Sequence, residues 1–159
     1  MVLALRLMIG WKERHNNMNS KHLLNEFQSI VENKILINDI DQYLSDWRRV
    51  YKGNTNFVIF PKTTLEVSEI IKLANRYDLP VVPQGGNTGL CGGATPDETG
   101  NSIVLNLTKL NKIRSIDLIG NTISVEGGCI LEIILNEVDK NDRIFPINLA
   151  AKGSCTVGG

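Results

Sequence analysis

Hydrophobic positions along this chain fall into short blocks separated by glycine, proline and polar turns, and the spacing within each block predicts its element. From Ser20 to Ile37, the residues Leu23, Leu24, Phe27, Ile30 and Val31 recur at intervals of three and four, which predicts a helix with one apolar stripe. The stretch "INDIDQYLSDWRRVYKGNTN" that follows is polar, with turn chemistry at Lys52-Gly53-Asn54, and reads as a connector. "FVIF", Phe57 to Phe60, is wholly apolar and short, as expected of a strand buried on both faces. Pro61 closes it, and Thr63-Thr64-Leu65-Glu66 carries the S/T-x-x-E spacing of a capping box, so a helix is expected to start there. Its core face is Val67, Ile70, Ile71, Ala74 and Tyr77, and "LPVVP" is the next strand.

Further along, "SIVLNL" reads as a strand, and "IRSIDLI" with "TISVEG" reads as a hairpin turning at Gly120-Asn121. A helix is expected over Ile130 to Val138 with Ile130, Ile133, Ile134 and Val138 inward, followed by a strand at "IFPI". The two halves of the chain share an order of strand, break, Leu-Glu-Val/Ile helix and proline-containing strand, each ending in a glycine-containing loop. This similarity of architecture would bring two loops to the carboxyl ends of strands, where open α/β sheets bind ligands.

Composition narrows the class. The chain has 159 residues, is 42% hydrophobic and has a formal net charge of zero, enough for one domain with a core. A nucleic-acid partner, which needs a basic face, is not expected, and the local "WRR" at Trp47 to Arg49 reads as solvated arginines. Cys91, Cys129 and Cys155 are odd in number and lack a C-x-x-C, so neither a disulfide framework nor a metal site is expected. A reducing compartment follows, cytoplasmic with mitochondrial as the alternative.

The amino-terminal "MVLALRLMIGW" is interrupted by Arg6 and is only about half a membrane span, so no membrane span is expected. A start at Met18 would leave the first 17 residues as an extension outside the fold, disordered or wrongly assigned to it. At the other end the sequence stops in "GSCTVGG", inside a glycine run, and is read as a fragment.

The densest chemistry is "VVPQGGNTGLCGGATP", Val81 to Pro96, with five glycines and no charge from Gln84 to Pro96. A P-loop needs G-x-x-x-x-G-K-[ST], but no lysine occurs between Lys72 and Lys109. A Rossmann turn needs G-x-G-x-x-G opening a helix, which the spacing of Gly85, Gly86, Gly89, Gly92 and Gly93 does not match. What remains is a backbone nest, in which glycines let successive N–H groups point into one concavity and bind an anion. A pyrophosphate diester suits such a nest, with Asn87 and Thr88 adding side-chain donors and Gly85 and Gly86 allowing close approach. The plainer reading is a corner-turning loop.

"PQGGNTGLCGGATP" resembles the pyrophosphate loop of the FAD-linked oxidases with a PCMH-type FAD-binding domain. The resemblance is to the branch containing D-2-hydroxyglutarate dehydrogenase, D-lactate dehydrogenase and the FAD subunit of glycolate oxidase. It extends from "DWRRVYKG" through "FVIFPKTTLEVSEIIKLA" and "GCILEIILNEV" to "RIFPINLAAKGSCTVGG".

It implies an α+β fold: a PCMH-type FAD-binding domain of two small α/β subdomains, only the N-terminal part present, preceded by a helical segment. Residues 1–17 would be the extension, 18–55 the helix and connector, and 56–159 the FAD-binding domain, incomplete at its C-terminus.

Carried over by position, Pro83, Gly85, Gly86, Asn87, Thr88 and Gly89 would line the FAD pyrophosphate, and Leu90, Gly92 and Gly93 would continue along it. Pro146, Gly153, Ser154, Thr156 and Gly158 would approach the flavin half. Cys91 and Cys155 would be small apolar fillers, and no catalytic or metal residue is assigned. The implied chemistry is oxidation of a small D-2-hydroxy acid (D-lactate, D-2-hydroxyglutarate or glycolate) to the 2-oxo acid. Electrons would leave to a separate acceptor: an electron-transfer flavoprotein, a quinone or a cytochrome. These residues alone are expected to be inactive, and another oxidase of the same fold or a non-catalytic fragment stays open as the alternative.

Overall fold

The computed structural model describes residues 20–31 and 35–158, so the expectations for residues 1–17 and for Met18 fall outside it. The chain begins with α1 (Ser20–Ile30), followed by β1 (Ile35–Leu36) and a 3-10 turn at Asp41–Tyr43. Then come β2 (Val58–Ile59), α2 (Thr64–Arg76), β3 (Val81–Gln84) and β4 (Ile103–Asn106). The hairpin β5 (Ile113–Asp117) and β6 (Thr122–Val125) leads into α3 (Leu131–Asp139).

Four strands form one sheet in the order β1-β2-β4-β3. β2, β4 and β3 run parallel, with Val58 opposite Val104 and Val82 opposite Val104 on the other side, while β1 is an antiparallel edge. Alternation along β2 and β4 explains their unbroken apolar sequence. Phe57, Ile59, Ile103 and Leu105 face α1 and α2 and share a core with Leu23, Phe27, Val31, Ile70, Leu73 and Ala74. Val58, Phe60 and Val104 face the other way and are covered by Leu36, Ile40, Tyr43 and Val82. Phe27 meets Phe57 at a ring separation of 6.1 Å, and Tyr43 meets Phe60 edge-on at 5.7 Å. Fully burying one such side chain contributes roughly 1.5–3 kcal/mol.

The start of α2 follows its capping box: Thr63 Oγ1 accepts from Glu66 N–H at 3.1 Å, and the Glu66 carboxylate reaches back to Lys62 N–H at 2.6 Å. The hairpin forms as expected, with Asn121 at a φ of 49° in its turn. α3 lies on this hairpin, burying Cys129, Ile134 and Val138 against Ile113, Ile123, Val125 and Phe145.

Several expectations need correction. Ile71 and Ile133, expected inward, are exposed, while Leu73 and Leu131 are buried instead. The first helix ends at Ile30 rather than Ile37, because Ile35 and Leu36 pair with Ile59 and Val58 instead. A ladder on an apolar edge outcompetes a further helical turn, since the apolar stripe itself stops at Val31. "IFPI" joins no ladder among the described residues and turns at Pro146, where Ile147 N–H donates to Phe145 O at 2.8 Å; Phe145 packs on the hairpin while Ile144 is 89% exposed. Pro146 has no N–H to give a neighbouring strand. The strand-helix-strand echo between the halves therefore holds only as far as α3.

Candidate functional site

β3 ends at the carboxyl edge of the parallel strands and delivers the chain directly into the glycine loop, the position where open α/β sheets bind ligands. Within it Asn87 stands at a φ of 52° and Gly92 at 75°. A left-handed residue inside such a run is the alternation that turns successive N–H groups to one side and makes an anion-binding concavity. None of the main-chain N–H groups from Gly86 to Gly93 has a protein acceptor among the described residues, nor has the Thr88 hydroxyl. A Cβ at Gly89 or Gly93 would meet no protein atom within 4 Å, so these two glycines open onto free space.

The second loop is built on α3. Ile130 caps that helix without a side-chain hydrogen bond, and the loop's own carbonyls replace it. Leu131 N–H donates to Cys155 O at 3.0 Å and Glu132 N–H to Lys152 O at 2.9 Å. Val157 N–H donates to Cys129 O and Gly158 N–H to Gly127 O, which zips residues 152–158 onto 127–132. So anchored, the loop reaches the first one: a Cβ on Gly86 would lie 1.8 Å from the Ser154 carbonyl oxygen. The two loops meet main chain to main chain.

Around that junction lie two clefts. One, of about 440 Å³, is bounded by Pro83, Asn87, Thr88, Gly89, Gly93 and Thr156, together with Leu90, Cys91, Ala94 and Cys155. The other, of about 420 Å³, is lined by Trp47, Gly86, Thr88, Leu90, Ala150, Ala151 and Ser154. Thr88 and Leu90 border both, so the clefts adjoin. Among the described residues, no charged side chain lines either one.

The structure gives several predicted residues protein neighbours that the sequence reading did not supply. Gly86 has no room for a side chain because the Ser154 carbonyl stands against it. Gly92 makes room for the Tyr51 ring, 2.8 Å from where its Cβ would stand, and Gly158 for the Gly127 backbone. Asn87 does not offer its amide to the cleft; Nδ2 donates to Ser45 O at 2.8 Å and to Gln42 O at 3.4 Å. Cys155 is buried, as a filler should be, but Cys91 is exposed and borders the cleft. Gly85 is buried behind the loop, and Pro146 and Gly153 are exposed outside the lining of both clefts.

The sequence reading gave the connector no part in the site. Residues 42–54 form a strap across the glycine loop: Gln84 Nε2 donates to Tyr43 O, and Asn54 N–H donates to Asp97 O. A Cβ on Gly53 would lie 1.8 Å from Pro96 O, so strap and loop touch along their length. The Arg48 guanidinium, expected to be solvated, donates to the Leu90 carbonyl and lies 3.8 Å from the Asp46 carboxylate. The only local sign of this was a lone aspartate beside two arginines in a turn-rich segment.

Burial pushes the Asp46 carboxyl up, but the amide donors of Tyr51, Val50 and Arg48, with the Arg48 charge, outweigh it and hold it below the usual aspartate value. A lowered folded-state value means that the clasp is fully stabilising above the ordinary aspartate range and is lost as pH falls through the lowered value. The stability difference between the complete protein and its Asp46→Asn variant, read from urea midpoints, should therefore be level down to about pH 4 and shrink below it. At neutral pH Asp46→Asn should be the less stable of the two.

The residues present fit a dinucleotide: unpaired amides for a diphosphate in one cleft, a mostly apolar groove beside it, and no carboxylate to repel the anion. A sequence-family model described as FAD binding domain matches residues 55–159. A Schizosaccharomyces pombe protein named as a mitochondrial D-lactate dehydrogenase is 47% identical over 121 residues, covering 76% of this chain and 23% of the relative. The mitochondrial D-2-hydroxyglutarate dehydrogenase of Arabidopsis thaliana is 39% identical over 136 residues, covering 84% of this chain and 24% of the relative. The chain thus spans about a quarter of the length of these curated relatives. Among solved structures, an alkyldihydroxyacetonephosphate synthase superposes with a TM-score of 0.77 at 14% identity, over 87% of this chain and 28% of that one, which shows a shared fold. Because the family match runs through both loops and the strands that carry them, the chain belongs to the FAD binding domain family, in its PCMH-type α+β form, with FAD as the cofactor.

Proposed function

We propose that the complete protein is a flavoprotein dehydrogenase that oxidises a small D-2-hydroxy acid, D-lactate, D-2-hydroxyglutarate or glycolate, to the 2-oxo acid. The observation that carries this reading is the identity, 47% over 121 residues and 39% over 136, to relatives named for D-lactate and D-2-hydroxyglutarate. Bound FAD would supply the two-electron acceptor for the hydride from C2 of the substrate. The part played by the described residues is to hold and orient. The Gly86–Gly93 amides would hydrogen-bond the diphosphate oxygens, with no cationic side chain in the lining of the cleft. The loop junction at Gly86 and Ser154 fixes the angle between the two clefts, and the strap keeps the amides aimed.

The expected positions at Pro83, Gly89, Gly93 and Thr156 are proposed as cofactor contacts, since they border the amide cleft. Ser154, Thr88 and Leu90 are proposed as contacts on the groove side. Electrons would pass onward to a separate acceptor, an electron-transfer flavoprotein, a quinone or a cytochrome. Both relatives carry mitochondrial in their names, which supports a mitochondrial location over a cytoplasmic one. No helix among the described residues is long and apolar enough to cross a membrane.

Purified complete protein should be yellow, and its flavin absorbance should bleach without oxygen on addition of one of the three D-2-hydroxy acids but not of L-lactate. Colourless protein that takes up no FAD would remove the reading. Flavin-loaded protein that bleaches with none of the three acids would retain the cofactor and remove the substrate class.

A further inference from the structure

The strap across the glycine loop precedes the residues that the family model matches, 55–159, and nothing assigns it a ligand. Its most prominent member is Trp47. The indole is 74% exposed, belongs to none of the buried clusters and takes part in no ring pair among the described residues. Its backbone, by contrast, is held on both sides. Asp46 is buried; its N–H donates to Tyr51 O at 3.1 Å and its Oδ1 accepts from Tyr51 N–H at 2.8 Å. Arg49 N–H donates to Asp46 O at 2.9 Å, closing a tight turn around Trp47, and Arg48 ties that turn to Leu90. A rigid mount thus presents a large aromatic side chain that the fold itself does not pack. An indole unpacked among the described residues leaves much apolar surface in water, which a bound partner would remove.

The position of that indole says what the partner is. Trp47 lines the groove together with the small residues Ala150 and Ala151 and with Leu90, a slot of about 420 Å³. The slot is lined without a charged group and adjoins the amide cleft through Thr88 and Leu90. A ligand whose diphosphate sits on the Gly86–Gly93 amides would extend a planar, neutral ring into this slot. Trp faces stack on such rings in offset geometry.

We propose that Trp47 is a cofactor-contacting residue, its indole lying against a planar heteroaromatic ring of the bound dinucleotide, with the Asp46–Arg48 turn as its mount. The inference rests on the FAD reading. The ring is the isoalloxazine or the adenine, and ligands that carry only one of them separate the two.

The test uses the complete protein with Trp47→Ala and Trp47→Phe, and measures FAD affinity by titration together with flavin absorbance and thermal unfolding. Trp47→Ala is expected to weaken FAD binding by about tenfold or more, and Trp47→Phe by no more than about threefold, since a phenyl face still stacks. Neither should lower the unfolding temperature of the unliganded protein. Weakening of FMN with ADP unchanged, and a shifted flavin absorbance band, would place the isoalloxazine on Trp47; weakening of ADP with FMN unchanged would place the adenine there. If the wild type binds FAD and both variants bind it equally well with an unchanged spectrum, the proposal is overturned while the FAD reading stands. If the wild type binds no FAD, both fall together. Should Trp47→Ala fail to fold, Trp47→Leu, which keeps apolar bulk and removes the aromatic face, takes its place: FAD binding weakened about tenfold supports the proposal, and full affinity with an unchanged flavin spectrum overturns it.

Discussion

Gly86→Val is expected to abolish FAD binding and to destabilise the complete protein at the same time. The added Cβ would stand 1.8 Å from the Ser154 carbonyl oxygen, with the Ser154 carbonyl carbon at 2.8 Å, and both are main-chain atoms that no rotamer change can move. Relief requires the two loops to part, which separates the amide cleft from the groove and breaks the continuous site. Overpacking of this kind costs typically 1–3 kcal/mol where side chains can yield, and a backbone obstacle puts Gly86 at the upper end or beyond. Gly89→Val provides the contrast, since its Cβ would meet no protein atom within 4 Å. It should leave the unfolding midpoint nearly unchanged and still reduce flavin content, because the valine enters the space in front of the amides. Flavin content and urea midpoints of the two purified variants check this. Normal flavin in Gly86→Val would mean that the loops need not touch for the site to form.

Phe27→Ala, the second large effect, should lower stability by about 3–5 kcal/mol, the usual range for deleting a buried aromatic side chain. Phe27 is fully buried although it lies on the first helix, outside the matched residues 55–159, and it packs on Phe57 at the foot of β2. If that helix were an appendage, the variant would behave like Leu65→Ala, which removes a largely exposed side chain on α2. Denaturant unfolding of the complete protein and both variants distinguishes the cases. A loss under about 1 kcal/mol in Phe27→Ala would show that the sheet holds without α1.

Elements whose burial is local were legible. The stripe Leu23-Phe27-Ile30-Val31, the capping box at Thr63 and Glu66, and the run Phe57 to Phe60 each carry their own period or end signal, and each forms as expected. "IFPI" misled for the opposite reason: a strand exists only through its partner, and apolar composition around Pro146 supplies none. Ile35 and Leu36 misled in the same way, since their pairing with β2 is a contact between segments distant in sequence.

For the site, the glycine loop could be located from sequence because positive φ and close backbone approach leave a compositional trace. The sequence did not distinguish which glycines open onto the cleft and which pack against the protein. Gly86, Gly92 and Gly158 are occupied by Ser154, Tyr51 and Gly127, whereas Gly89 and Gly93 are open.

What the sequence by itself determined is the order of elements, the place of the amide-rich loop at the end of β3, and its lack of charge. Tertiary structure alone decided that a second loop, zipped onto the start of α3, closes against Gly86, and that the strap from Gln42 to Asn54 clasps the first loop and mounts Trp47 beside it. The physical reason is range. Periodicity and glycine content report a residue's own backbone, while a site made where three separated segments meet is set by which carbonyl lies opposite which Cα, and that distance is written in no single stretch of the chain.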